Sequence, residues 1–119
     1  VAIRMFPVAS TLGIAEGIET ALSAHQIYNV NTWATMTANF MKKFRVPAGV
    51  KNLIIFADRD VNSATGLAAA TECAHANLLA KNDLEKISIY YPDNGDFNDM
   101  LMNGDQVREV VFFKKKAAA

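Results

Sequence analysis

The sequence predicts an α/β fold with a mainly parallel sheet, on three observations. Apolar runs alternate with helix-forming stretches along the chain. One run, Leu53-Ile54-Ile55-Phe56-Ala57, is apolar without a break, as expected of a parallel strand buried on both faces. The stretch after it, Ser63 to Lys81, is an Ala-rich helix pattern long enough to cross back over a sheet. At 119 residues the chain makes one domain, with a body over 1–113 and a tail or linker over 114–119.

The elements follow in order. Ala2 to Phe6 and Leu12 to Ala15 read as short strands separated by Pro7 and Ser10-Thr11. Glu19 to Tyr28 is a helix, with Ala21, Leu22 and Ile27 near helical spacing. Thr32 to Met36 is β-branched and aromatic enough for a strand, and Phe40 to Phe44 is a short helix ended by Pro47 and Gly49. In the long helix, Ala64, Leu67, Thr71, Ala74 and Leu78 mark an inward stripe. Lys86 to Tyr91 alternates as a strand. Asp96 to Asn103 and Asp105 to Phe113 then read as two closing helices split by Gly104.

Composition narrows the function. The formal charge is zero, with 12 basic and 12 acidic residues. Taking Lys114, Lys115 and Lys116 from the 12 basic residues leaves 9 against 12 acidic, a net of −3 for the body. That body is no basic nucleic-acid module, because non-specific affinity comes from neutralising phosphates. The single cysteine, Cys73, excludes an internal disulfide and a zinc knuckle, and fits a reducing, cytoplasmic setting. No apolar stretch approaches the roughly 20 residues that span a bilayer, and VAIRMFPVAS is no signal peptide. The opening inside a strand-like segment suggests a piece of a larger protein.

In parallel α/β sheets ligands bind beyond the carboxyl ends of the strands, and acids gather there. Leu12 to Ala15 runs into Glu16-Gly17, and Leu53 to Ala57 runs into Asp58-Arg59-Asp60. Asp58 and Asp60, two apart on an extended backbone, share a face. If the two strands are neighbours, Glu16 joins them. Three such carboxylates repel one another unless a cation intervenes, and Mg²⁺ suits an all-oxygen set completed by water and substrate phosphates. Gly17 allows close backbone approach, and the helix starting near Glu19 points free N–H groups at a bound anion. Asp96 and Asp99 in YYPDNGDFNDML lie after a strand of the same sense, with Asp93 before them. Capping is the competing reading, since Asp at a strand-to-helix junction often serves only as an N-cap.

LGIAEGIETALSA, LIIFADRDVNSATGLAAA and YYPDNGDFNDML in this order resemble the Toprim domain, in the version found in primases of plasmids and phages and in primase-helicases. The resemblance runs from about Leu12 to Gly104. It implies a compact Rossmann-like sheet of about four parallel strands flanked by helices. It also implies that Glu16 is an acid/base or metal-proximal group, and that Asp58 and Asp60 are the Mg²⁺ (or Mn²⁺) pair. Asp96 and Asp99 match a later acidic motif. Glu19 belongs to an E-x-x-E pattern that either orients Glu16 or caps its helix. The implied activity is nucleotidyl transfer in a DNA primase during plasmid or phage DNA replication, with nucleoside triphosphates and a single-stranded DNA template as partners and no membrane. Full-length proteins of this type carry an N-terminal basic or zinc-binding region, and some carry a C-terminal helicase domain. The 119-residue chain alone is therefore expected to bind metal and make little primer.

Other Toprim activities, nuclease or topoisomerase, remain alternatives, as do a dehalogenase-type phosphatase with Asp58 as nucleophile and a docking module of a replication protein. Tyr28, Tyr90 and Tyr91 fall in secondary structure, which disfavours them as a topoisomerase nucleophile. His25 and His75 read as structural or solvated, and Cys73 as a small core residue. Trp33, Phe6, Phe44 and Phe56 read as core; Met100 and Met102 as filler or a junction surface. Lys42, Lys43 and Arg45 read as a solvated helix face, with backbone contact to nucleic acid as the alternative.

Overall fold

The β-branched and apolar runs form the strands of one sheet, most deeply buried at its centre. The computed structural model describes residues 3–57, 65–92 and 107–114. The order is β1 (Thr11–Ala15), α1 (Ile18–Tyr28), β2 (Asn31–Ala34), α2 (Ala38–Lys43), β3 (Asn52–Phe56), α3 (Thr65–Leu79), β4 (Lys86–Pro92) and β5 (Val107–Phe113). They build one five-stranded sheet in the order β2-β1-β3-β4-β5. β1 pairs in parallel with β2 and β3, and β3 with β4, while β5 runs antiparallel to β4.

Right-handed crossovers explain where the helices lie. The chain steps from β1 outward to β2 through α1, then returns past β1 to β3 through α2 and continues to β4 through α3. Reversing direction across the sheet moves the helix to the other face. α2 and α3 therefore share one face, over Leu12, Ile14, Trp33, Leu53, Ile55, Ile87 and Ile89, and α1 covers the opposite one.

α1 starts at Gly17, which gives no side-chain cap, and ends at Asn29, whose left-handed backbone (φ 56°) lets its N–H donate to the His25 carbonyl. Thr37 caps α2 by accepting from the Phe40 N–H at 3.1 Å. α3 buries Ala69, Ala70, Cys73, Ala74 and Asn77, a stripe rotated from the expected one, in which Leu67, Thr71 and Leu78 are only half-buried. The rotation brings Asn77 inside. Its amide donates to the carbonyls of Phe44 and Cys73 and accepts from the Val46 N–H, tying α3 to the chain leaving α2.

Two sequence expectations are corrected. Residues 107–113, read as part of a closing helix, form β5, pairing with β4 from Val107 opposite Pro92 to Phe113 opposite Lys86. The open edge of β4 offers a full row of ladder partners, and a segment holding three valines and two phenylalanines suits a pleated strand. The strand expected over 2–6 reduces, among the described residues, to one antiparallel bridge from Ile3 to Ala34. The segment behaves as a strap across β2. Trp33 Nε1 donates to the Phe6 carbonyl at 2.7 Å, Asn31 holds the Pro7 carbonyl, and Arg4 lies over the Trp33 ring. The expected helix over 96–103 lies outside the described residues. Just after β5, the Lys114 ammonium donates to the Ala80 carbonyl and the Asn82 side chain. Among the described residues no helix is long and apolar enough to cross a membrane.

Candidate active site

The parallel strands β1 to β4 end on one edge of the sheet, and register shows which residues meet there. Ala15 lies opposite Ala34 on one side and Phe56 on the other, and Phe56 lies opposite Tyr90. One residue further on are Glu16, Thr35, Ala57 and Tyr91. Because the chain leaves β1 toward β2 and later returns to β3 on its other side, the gap between β1 and β3 is the point where strand order reverses. Doubly wound sheets bind ligands in that crevice. Glu16 stands at it, half-buried, and Ala57 carries β3 to it.

The backbone around Glu16 is fixed from the β2 side. The Thr35 N–H donates to the Ala15 carbonyl and the Met36 N–H to the Glu16 carbonyl, both at 2.7 Å. Met36 makes its bond with a left-handed backbone, φ 74°, which a side chain rarely adopts. A strained residue at a ligand edge is where proteins hold a fixed loop shape at some cost, of order ~1–3 kcal/mol. Nothing in the sequence signals Met36 or Thr35 as supports, because the contact joins residues 20 apart.

Glu19 is exposed in the first turn of α1, where its charge favours the positive helix end. Gly17 is corrected. Its φ of −97° is open to any residue, and a Cβ there would meet nothing within 4 Å. The glycine leaves open space above an uncapped helix start. The glycine that the fold does require is Gly13, whose close neighbours lie far from it in sequence. A Cβ there would approach Thr32 Oγ1 to 2.5 Å and the Phe56 ring to 2.9 Å.

Asp58, Asp60, Asp96 and Asp99 lie outside the described residues, as does Asp93. Among the described residues no three His, Cys, Asp or Glu side chains gather into a metal-binding group, and Glu16 is the one expected ligand in view. The softer candidates are placed elsewhere. His25 stacks on Phe6 at 3.9 Å between ring centroids, and His75 meets Phe112 edge-on. Cys73 is buried, and its thiol is pushed up to about 12, chiefly by burial, with Arg45 and the Asn77 hydrogen bond opposing. It lies in the core beside Phe44 and Asn77. The donors that the edge brings or leads to are carboxylates, and an oxygen-only set fits a hard divalent ion.

A family model described as the Toprim domain matches residues 11–106. The chain belongs to the Toprim family. The match spans β1 through the segment just before β5, so both D-x-D and the later acidic stretch fall within it. The mostly parallel sheet flanked by helices is the compact Rossmann-like arrangement of that family. Toprim domains bind divalent metal and serve nucleic-acid-processing enzymes, among them primases, nucleases and topoisomerases. No curated protein and no solved structure matches the chain. The three tyrosines lie in α1 and β4, as expected. Burial raises the Tyr28 hydroxyl, and burial together with Glu109 raises that of Tyr90.

Proposed function

We propose that this Toprim domain is the metal-dependent nucleotidyl-transfer centre of a DNA primase, of the plasmid or phage type, making RNA primers. The observation that carries the reading is the position of Glu16 at the strand-order reversal, beside the strand that leads into Asp58-Arg59-Asp60. Glu16, Asp58 and Asp60 would hold Mg²⁺ or Mn²⁺, which supplies charge neutralisation at the transferring phosphate and the leaving pyrophosphate.

The chain's own residues supply position. A primer 3′-hydroxyl attacks the α-phosphate of a nucleoside triphosphate, and the bond to pyrophosphate breaks. Glu16, its backbone pinned by Met36, accepts the hydroxyl proton or stays beside the metal. The N–H groups at the uncapped start of α1 face the anion. Glu19, Asp96 and Asp99 add acidic character, with Glu19 orienting rather than ligating. The single-stranded template, an N-terminal basic or zinc-binding region and, in some proteins, a C-terminal helicase domain are the partners of the full-length enzyme, which acts in the cytoplasm.

Calorimetric titration of the chain with Mg²⁺ and Mn²⁺, with Asp58→Asn as control, tests the site. Loss of binding in the variant is expected, and binding that ignores it removes the metal assignment. Primer synthesis by the full-length protein should fall at least 100-fold in Asp58→Asn, about 3 kcal/mol of lost transition-state stabilisation. Unaltered synthesis would leave the domain a docking module.

A further inference from the structure

We propose that the outward face of α2, with Met36 ahead of it, is a contact surface for single-stranded nucleic acid that leads the strand to the edge at Glu16. The inference rests on the primase reading above and names the surface that would receive its template.

α2 packs through Met41, and the Phe44 that ends it is buried edge-on against Trp33. With these two filling the core, Phe40 turns outward and is 41% exposed. Asn39 and Lys43 are four apart and Phe40 and Lys43 three apart, so the three share one helix face, and all are exposed. Met36, 47% exposed, stands one turn before them. From Thr35 to Arg45 there is no Asp or Glu, while Lys42, Lys43 and Arg45 all carry positive charge. The net charge of the chain conceals this local excess.

A flat aromatic ring beside cations and an amide is the chemistry that holds single strands. Bases stack on the ring, and lysines follow the phosphates. The placement favours the same occupant. Through the Met36-to-Glu16 hydrogen bond the patch is fixed to the candidate active site, and the left-handed Met36 gives the loop one shape. A second copy of this chain is a poor occupant, since two-fold pairing would set the cations of one patch against those of the other.

Titrating the ¹⁵N-labelled chain with a 12-residue oligothymidylate in low salt should shift amides in 35–45 and at Glu16. In fluorescence anisotropy, Phe40→Ala should weaken binding about 5-fold or more, while circular dichroism shows the fold intact. Lys43→Gln should lower the salt slope by about 0.7, the value for one phosphate contact on a single strand. No binding, shifts confined to other surfaces, or variants that bind like the wild type would overturn the proposal. So would sedimentation showing a dimer that Phe40→Ala dissolves. The Mg²⁺ titration of Asp58→Asn is a separate arm: its failure removes the metal site, whereas oligonucleotide binding indifferent to Phe40 and Lys43 removes only this surface.

Discussion

The two faces of the sheet are built on opposite principles. Against α2 and α3 the sheet presents long aliphatic side chains, Leu12, Ile14, Leu53, Ile55, Ile87 and Ile89, with Trp33 and Phe44 filling the gap to the helices. Against α1 it presents mainly small residues, Gly13, Ala15 and Ala34, met by Ala21 and Ala24, with Ile54 half-buried and Phe56 packed with Tyr28 and Tyr90 toward one side. One face is stabilised by volume and the other by close approach. The first should fail when atoms are removed, the second when atoms are added.

The largest expected effect is on the first face. Trp33→Ala should cost about 3–5 kcal/mol in urea unfolding, because a buried ring leaves a cavity and the strap loses its hydrogen bond to Trp33 Nε1. Gly13→Ala should destabilise by about 1–3 kcal/mol, although it adds a single methyl group. A neutral Gly13→Ala would break the comparison, since it would show that the side chains of Thr32, Phe56 and Val30 give way at no cost. Asn77→Ala should cost roughly 1–3 kcal/mol by leaving the buried Phe44 and Cys73 carbonyls and the Val46 N–H without this partner.

The alkaline limb of stability is the next test. The Cys73 thiol is raised from 9.0 to about 12 in the fold, so between those values the unfolded chain releases a proton that the native one keeps. Its contribution is full below pH 9 and lost as pH rises toward 12, with a slope approaching ~1.4 kcal/mol per pH unit. Tyr28 and Tyr90, also raised, add to the decline above pH 10. Urea midpoints of the wild type should fall between pH 9 and 10.5 more steeply than those of Cys73→Ala. Parallel curves would show that the thiol does not stay protonated. The smallest effect is expected at the end of α1, where Asn29→Gly should gain a few tenths of a kcal/mol by relieving the left-handed backbone.

Legibility in the sequence followed the range of the interaction. β3 and β4 were readable because apolar runs and alternation are local. The last strand was not, since Val107, Val110 and Val111 stand at helical spacing as well as being β-formers, and only the free edge of β4 decides between them. The stripe of α3 was misplaced by the same reasoning: in an Ala-rich helix one face is nearly as apolar as the next, and the hydrogen-bonding needs of the Phe44–Val46 turn select the face with Asn77. Glu16 was readable from its place after an apolar run, but its supports, Thr35 and Met36, were not.

The sequence by itself determined the alternation of strands and helices, the family, and the residues carrying acid at the ends of strands. These depend on residue type and short spacing, which a linear reading contains. The tertiary structure alone decided that β1 lies between β2 and β3, and so that Glu16 stands at the strand-order reversal. It also decided that Gly13, not Gly17, is the glycine under steric demand. Strand order and close approach are set by which distant surfaces cover each other, and that information arises only when the whole chain packs.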